Sequence, residues 1–569
     1  MGLEWETGEH TNEPLAMIAA DDPVTCAIYA RDKGLLQTDG WRRFKPIVKN
    51  QKKLSRMLNQ AKLRSYRRGP KYMYGVQVPH DHAEAVRLDE KNGNTLYQDA
   101  EAVEIQQLKE YDTFHDKGVY SKDRNPTPQG YKMIRLRMIY AVKHDGRRKA
   151  RLVAGGHLTP EPIDSVYSGV VSLRGLRLII FLAELNGLEV WATDIGNAYL
   201  EAKTAEKVCV IAGPEFGPLQ GHLLVIYKAL YGLRSSGLRW HEKFAQTLRD
   251  MGFVPSKAEQ DIWMRRNGDI YEYIAVYVDD LAIGAKDPKA IVDLLVGKYE
   301  YKLKGTGEIS FHLGCDFWRD ENGILCFAPL KYIEKMIDTY ERLFGRKPSK
   351  KVRSPLEPND HPELDTSELL NDEGVKIYQS LIGAMQWAVS IGRMDITTAV
   401  MTMSGFRIAP RQGHLERCKR IYCYLANFSQ ATIMVKTEEP DYSALPTKEY
   451  DWANSVYGNV KVDDPEGIPE PLGKWVTVTT YVDANLLHDM ITGRSVTGIL
   501  QFLNKTPVDW YSKKQATVES ATYGSEFVAA RTATDKTFDL VYTLKYLGVR
   551  VRPRAHMFGD NDAVVNSAS

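Results

Sequence analysis

Two sets of acids, each gathered from distant stretches of the chain, carry the chemistry this sequence could perform. The first is Asp279 and Asp280, adjacent in Tyr277-Val278-Asp279-Asp280, together with Asp194 in Ala192-Thr193-Asp194-Ile195. The second is Asp483, Glu526 and Asp560, spread over the last hundred residues. Adjacent carboxylates repel, and holding them together costs free energy unless a cation sits among them. Three converging carboxylates can hold two divalent cations ~3.5–4 Å apart, an arrangement that activates a hydroxyl and stabilises a leaving group in an in-line displacement. Taken alone, the Tyr-x-Asp-Asp string also fits an ordinary Asp-rich turn. Each acid of the second set, taken singly, also fits a cap or a surface position. The ordered sets are what argue against coincidence.

Such acids need rigid supports. β-Branched and aromatic runs on both sides of Asp279 and Asp280 predict a β-hairpin with the carboxylates at its tip. Residues 188–200 predict a strand that ends near Asp194, with Tyr199 five positions on, preceded by a helix at roughly 173–185. Laid beside the hairpin, that strand would complete the first set. Residues 228–240 read as a Gly-punctuated turn leading into a helix at about 240–248. Strand-like runs at 133–140 and 149–154 flank His144-Asp145-Gly146, so a hairpin is predicted there. Its alternating Arg and Lys would give one face able to grip a triphosphate; a surface hairpin kept soluble by charge is the alternative. For the last domain, strands are predicted at 476–483, 498–503, 508–512 and 555–560, with a helix near 520–534 carrying Glu526.

The remaining stretches are less informative. Residues 1 to about 40 read as a weakly ordered lead-in. From Trp41 to Tyr74 there is no Asp or Glu while Lys and Arg crowd in, which fits a basic arm touching phosphates or a solvated basic face. Residues 75 to about 125 read as mainly helical, 307–314 and 323–327 as a short strand pair, and 378 to about 425 as a helical block. An acidic, Pro-rich stretch from Glu438 to Pro471 reads as a linker.

At 569 residues the chain is too long for one core, and three or four domains are expected. Apolar residues make up 43% and charged residues 26%, a globular composition, and the formal charge of +2 averages over segments of different sign. No run of about 18 apolar residues occurs, which excludes a membrane helix. The first residues lack the layout of a secretory signal. Six scattered cysteines without a Cys-x-x-Cys pair argue against zinc and for free thiols in a reducing, intracellular compartment.

With these residues in hand, the chain resembles the reverse transcriptase–ribonuclease H portion of copia-type LTR retrotransposon Pol polyproteins, from about residue 97 to the end. The residues that carry the resemblance, in order, are Lys149-Ala150-Arg151-Leu152-Val153-Ala154, Asp194-Ile195-Gly196-Asn197-Ala198-Tyr199-Leu200, Leu230-Tyr231-Gly232-Leu233, Tyr277-Val278-Asp279-Asp280, Phe311-His312-Leu313-Gly314, Tyr378-Gln379-Ser380-Leu381-Ile382-Gly383, Arg393-Met394-Asp395-Ile396, Arg494-Ser495-Val496-Thr497-Gly498 and Ser512-Lys513-Lys514-Gln515.

The resemblance implies an α+β right-hand polymerase with fingers, palm and thumb, followed by a ribonuclease H-like α/β domain. The expected boundaries are a lead-in at 1–96 with the basic arm at 41–74, fingers and palm at 97–345, and a thumb or connection region at 346–436. The linker falls at 437–473 and the ribonuclease H-like domain at 474–569. The implied function is RNA-directed DNA synthesis with attached cleavage of the RNA strand of hybrids; the alternative is a decayed or domesticated copy that binds nucleic acid without catalysis. Asp194, Asp279 and Asp280 would be the polymerase carboxylates and metal ligands, with Asp194 and Asp279 the more direct. Asp483, Glu526 and Asp560 would be those of ribonuclease H. Each site would use two Mg2+ or Mn2+ ions. Lys149, Arg151, Tyr199 and Gly237 are the expected nucleotide contacts, Tyr199 closing against the sugar 2′ position to select dNTPs.

RNA template, DNA primer and RNA–DNA hybrid are the implied partners. A cytoplasmic virus-like particle, with nuclear entry on the way to DNA integration, is the implied setting. Two departures from the family pattern stand out. Ser235-Ser236-Gly237 stands where Gln-Ala-Pro is common, and the sequence stops at Ser569 before a segment that could supply the family's fourth ribonuclease H acid. On that ground, and without a protease or integrase motif, the chain is expected to be a processed or truncated piece of a longer polyprotein with a weakened second ribonuclease H metal site.

Overall fold

The computed structural model describes residues 2–4, 10–12, 15, 23–49, 71–73, 75–143, 146–159, 166, 168–445, 454, 456 and 464–568. Most of the expected basic arm, from 50 to 70, lies outside the described residues, as does much of the linker. The chain divides into two compact units.

The smaller unit comprises residues 1–107, 136–153 and 212–221. Within the stretch expected to be a weakly ordered lead-in, a helix at Pro23–Asp32 buries Cys26 and Ala27 with Phe44. The predicted hairpin is present as Leu136–Val142 paired with Arg148–Ala154. In its second strand Ala150, Leu152 and Ala154 are buried while Lys149, Arg151 and Val153 are half-exposed, the two-residue alternation of a strand with one covered face.

The larger unit holds both acid sets, and its numbering below follows the chain. Helix α1 (Leu173–Asn186) starts on the Ser172 hydroxyl, which accepts the Gly175 N–H, and ends at left-handed Gly187. It is apolar nearly all round, and Leu176 through Ala183 are all buried. It is followed by β1 (Glu189–Ile195), the single turn α2 (Ala198–Glu201) and the amphipathic α3 (Ser236–Asp250). Next come β2 (Ile262–Asn267), β3 (Ile270–Tyr277), β4 (Asp280–Ala285), α4 (Pro288–Gly297) and β5 (Leu303–Glu308).

These strands form one six-stranded sheet, Val254–Pro255 at one edge and then β2, β3, β4, β1 and β5. Both of its faces are covered. Tyr273, Ala275 and Ala282 join α1 in one core, while Ile274, Val276, Leu281 and Ile283 join Trp240, Phe244 and Ile291 in another. That is why β3 and β4 read as continuous apolar runs rather than alternating ones. Residues 75–125 are less helical than expected: after helices at His82–Asn92 and Leu96–Glu110, Phe114–Val119 forms a strand.

A helical block follows, α5 (Leu330–Phe344), α6 (Asp372–Ser390), α7 (Thr397–Ser404) and α8 (Gln412–Asn427), around Tyr378, Met385, Met403 and Tyr422. The last part contains β6 (Leu472–Val476), β7 (Val478–Asp489), β8 (Arg494–Leu503), β9 (Thr506–Lys514), α9 (Thr522–Tyr546), β10 (Val549–Val551) and β11 (His556–Phe558). Its main sheet runs β9, β8, β7, β11, with β11 parallel to β7, and a separate parallel pair joins β6 to β10. The predicted helix of 520–534 extends a further three turns, because Leu540 and Leu544 continue its buried stripe.

The expected α+β class holds, with a body built on the six-stranded sheet followed by a smaller α/β domain. No helix among the described residues is long and apolar enough to cross a membrane.

Candidate active sites

Backbone pairing assembles the first acid set. β4 lies antiparallel to β1 with Asp280 directly opposite Asp194, and β3 turns into β4 through the two-residue loop Val278-Asp279, since Tyr277 pairs with Asp280. The two loop residues differ in backbone geometry. Val278 has φ +59°, and Asp279 is not among the residues of positive φ, a pattern that matches a type II′ hairpin turn. A β-branched residue in the left-handed region is strained, by about 1–3 kcal/mol. The strain is held by neighbours: the Trp240 indole N–H donates to the Val278 carbonyl at 2.7 Å, and the Ile195 N–H donates to the Asp279 carbonyl at 2.8 Å.

All three acids are half-buried. Burial, then the charges of Asp279 and Asp194, push the Asp280 carboxyl up to about 6. The group therefore sits in the negative field of two neighbouring carboxylates, as a cation site should. On its other side Asp194 is paired in register with Lys304, whose ammonium lies beside Gly196. Sequence reasoning singled out neither Lys304 nor the indole of Trp240 as part of this site. Their roles arise from register and packing, which the residue string does not display.

The other expected nucleotide contacts have distinct surroundings. Tyr199 sits on α2 against the sheet's core, its ring 4.9 Å from that of Tyr231 at an interplanar angle of 49°. Gly237 opens α3 and borders a cavity of about 20 Å³ with Tyr199, Val278 and Trp240. The unusual Ser235-Ser236 pair is firmly placed: Ser235 donates its N–H (3.0 Å) and hydroxyl (2.6 Å) to Glu206, and the Ser236 hydroxyl donates to the Leu230 carbonyl (2.7 Å). Lys149 and Arg151 belong to the smaller unit, where both charges act on the buried Glu104; burial raises that carboxyl, and the Leu152 N–H and the two cations oppose the rise.

Register also gathers the second set. Tyr481 of β7 pairs with Phe558 of β11 in parallel, so Asp483 and Asp560, each two residues further on, arrive side by side. Glu526 comes from α9, which packs on the same sheet through Ala529 and Ala533 against Val482 and Ile499. One oxygen from each of Asp483, Glu526 and Asp560 lies within 4.8 Å of the others. Burial, then Asp483 and Asp560, raise the Glu526 carboxyl, against the opposing hydrogen bond from the Ala484 N–H. Beside the acids opens a cavity of about 720 Å³, walled by Tyr481, Trp510, Tyr511 and Phe558 and bordered by Asp395 and Thr398. Oxygen-only donors of this kind suit hard divalent cations such as Mg2+ and Mn2+.

Residues 121–348 match the family model of the reverse transcriptase (RNA-dependent DNA polymerase). A retrovirus-related Pol polyprotein from transposon RE1 of Arabidopsis thaliana is 24% identical over 446 residues, 77% of this chain and 28% of that polyprotein. The corresponding polyprotein from transposon TNT 1-94 of Nicotiana tabacum is 25% identical over 440 residues, 74% of this chain and 30% of its own length. The chain thus spans under a third of these two polyproteins. The putative transposon Ty5-1 protein of Saccharomyces cerevisiae is 28% identical over 329 residues, 56% of this chain and 92% of that protein. Among solved structures, a foamy viral protease-reverse transcriptase in complex with double-stranded DNA aligns with 82% of this chain and 70% of that one, at 11% identity and a TM-score of 0.22, too low to bear on the fold. The chain is thus similar to retrovirus-related Pol polyproteins of transposons over about three quarters of its length, and its residues 121–348 match the reverse transcriptase family.

Proposed function

We propose that the chain is an RNA-directed DNA polymerase that also cleaves the RNA strand of hybrids. The observation that carries the reading is the register that sets Asp194 opposite Asp280 and next to the Asp279 turn. Bound to Asp194, Asp279 and Asp280, and separately to Asp483, Glu526 and Asp560, Mg2+ or Mn2+ would supply the charge neutralisation that in-line phosphoryl chemistry requires.

The protein's own groups do the rest. β1, β4 and the turn that leads into β4 hold the first three carboxylates on a sheet buried on both faces, so the site is organised before substrate arrives. In the deprotonated state these acids offer only oxygen acceptors, which orients cations rather than nucleotides. Tyr199, five residues past Asp194, closes the space beside the sugar 2′ carbon and so favours dNTPs. Lys149 and Arg151, on the half-exposed face of their strand, are the cationic contacts for a triphosphate. At the second site Glu526, its carboxyl raised by burial and then by Asp483 and Asp560, faces the negative charge that a bound cation would neutralise. RNA template, DNA primer and RNA–DNA hybrid are the partners that such a pair of sites needs.

The test is primer extension on an RNA template with dNTPs and Mg2+, beside an Asp279→Asn, Asp280→Asn double variant. Extension by the parent and none by the variant is expected. A parent that retains template binding but does not extend in Mg2+ or Mn2+ would instead mark the chain as a non-catalytic nucleic-acid binder.

A further inference from the structure

We infer that Tyr231 is a positioning residue that sets nucleotide-sugar selectivity by fixing the ring of Tyr199. The inference rests on the proposed function, in which Tyr199 closes against the sugar, and adds a residue for which that reading has no role.

The backbone that carries Tyr199 is pinned at both ends. Before it, Asn197 caps α2 in the left-handed region at φ +56°, and the Gly196 carbonyl accepts the buried Tyr111 hydroxyl at 3.1 Å. After it, the Glu201 carbonyl and carboxylate accept the Lys243 ammonium at 2.9 and 3.2 Å, and the Ala202 carbonyl accepts the Ala229 N–H at 2.9 Å. With the backbone fixed, the place of the Tyr199 ring is set by its two side-chain torsions and by what packs against it. On one side its ring meets the sheet's core and the small cavity beside Val278 and Gly237. The ring contact at 4.9 Å is with Tyr231.

Tyr231 is a firm support. Its carbonyl accepts the Ala154 N–H at 2.7 Å, and the Arg234 side chain donates to the Gly156 carbonyl at 3.1 Å, so residues 154–156 clamp the 230–234 turn from two points. The approach is so close that a Cβ on Gly156 would lie 2.1 Å from the Gly232 carbonyl oxygen. Tyr111 extends the cluster: its phenol is raised by burial first and then by Glu201 and other neighbours that include Tyr231. Tyr111 thus anchors the backbone ahead of the short helix, and Tyr231 packs on the ring that the helix carries.

Truncating Tyr231 opens a ring-sized space next to Tyr199 and releases rotamers that the contact excludes. Steric rejection of a 2′-hydroxyl depends on the blocking ring staying where it is. A loosened ring therefore admits ribonucleotides while dNTP use changes little. A merely structural role for Tyr231 would lower both substrates alike and leave their ratio unmoved.

The experiment is single-nucleotide primer extension with Mg2+, giving kcat/KM for a dNTP and for its rNTP. It compares the parent with Tyr231→Ala, Tyr231→Leu, Tyr231→Phe, Tyr199→Ala and the double Tyr199→Ala, Tyr231→Ala. Tyr231→Ala is expected to lower discrimination against the ribonucleotide by about tenfold, the scale of a lost packing contact. Tyr231→Phe, which keeps the ring, is expected to hold the parent ratio, and the double variant to match Tyr199→Ala because both act through one ring. Tyr231→Leu keeps bulk without a flat ring and carries the same prediction should the alanine variant fail to fold. A parent ratio in both Tyr231→Ala and Tyr231→Leu, with Tyr199→Ala relaxed, overturns the role of Tyr231 and leaves the gate intact. An unchanged ratio in Tyr199→Ala overturns the gate and this inference with it, and no extension by the parent overturns the proposed function itself.

Discussion

At the scale of single residues, Asp280 is the group whose state reports the site. Its carboxyl titrates near 6 in the folded chain, because of burial and then Asp279 and Asp194, against about 3.9 when unfolded. A raised carboxyl means that the folded state binds the extra proton. Its contribution to stability is therefore present below pH ~4 and lost as pH rises through ~6. In EDTA, the melting temperature of the parent minus that of Asp280→Asn is expected to fall between pH 4 and pH 6.5 and then level off. A flat difference over that window would mean that the acids do not share a field. Much of this site was legible beforehand: the residue types, their order and their strand flanks pointed to Asp194, Asp279 and Asp280 as a group. The strained Val278 and its anchor on Trp240 were not, because backbone conformation at a two-residue turn depends on which residues pair across it. Lys304 was hidden for the same reason, being brought opposite Asp194 only by register.

At the scale of elements, the long apolar strands and helices could be read, whereas several short, non-locally paired ones could not. The β3–β4 hairpin and α1 follow from their own sequences. β6 and β10 do not, since each is short and gains its partner more than seventy residues away. Yet β10 follows a turn that matters. Tyr273 donates its hydroxyl to the Leu547 carbonyl at 2.8 Å, and at Gly548 a Cβ would meet the Tyr271 ring at 2.2 Å. Gly548 also has φ +69°, which costs any other residue about 1–2 kcal/mol. Gly187 offers a matched control, with φ +68° and no neighbour near its Cβ position. Urea unfolding is expected to show Gly548→Ala losing more stability than Gly187→Ala, by about 1–3 kcal/mol for the overpacked contact. Equal losses would show that α9 and β10 do not pack on the six-stranded sheet as described.

At the scale of the whole larger unit, the two acid sets stand on one continuous core. Leu178, Ile179 and Leu182 of α1 are buried together with Val476, Val508, Leu540 and Leu544 of the last domain. Arg177 sits where they meet, nine-tenths buried, donating to the Val508 carbonyl at 2.7 Å and the Ser390 carbonyl at 3.0 Å, with its guanidinium 4.2 Å over Trp510. Burial lowers its pKa to about 10, so it is still charged at neutral pH. A polar Arg among Leu and Ile gave no hint of this in the sequence. On the proposed function, two separate carboxylate sites stand on this shared support, each with its own chemistry. The direct test is one reaction holding labelled RNA annealed to a labelled DNA primer, dNTPs and Mg2+, run with the parent, Asp279→Asn and Asp483→Asn. The parent is predicted to lengthen the DNA and shorten the RNA. Asp279→Asn is predicted to lose extension by about a hundredfold or more while still cutting RNA, and Asp483→Asn to do the reverse. Loss of both activities in either single variant, or neither activity in a parent that binds the duplex, would contradict it.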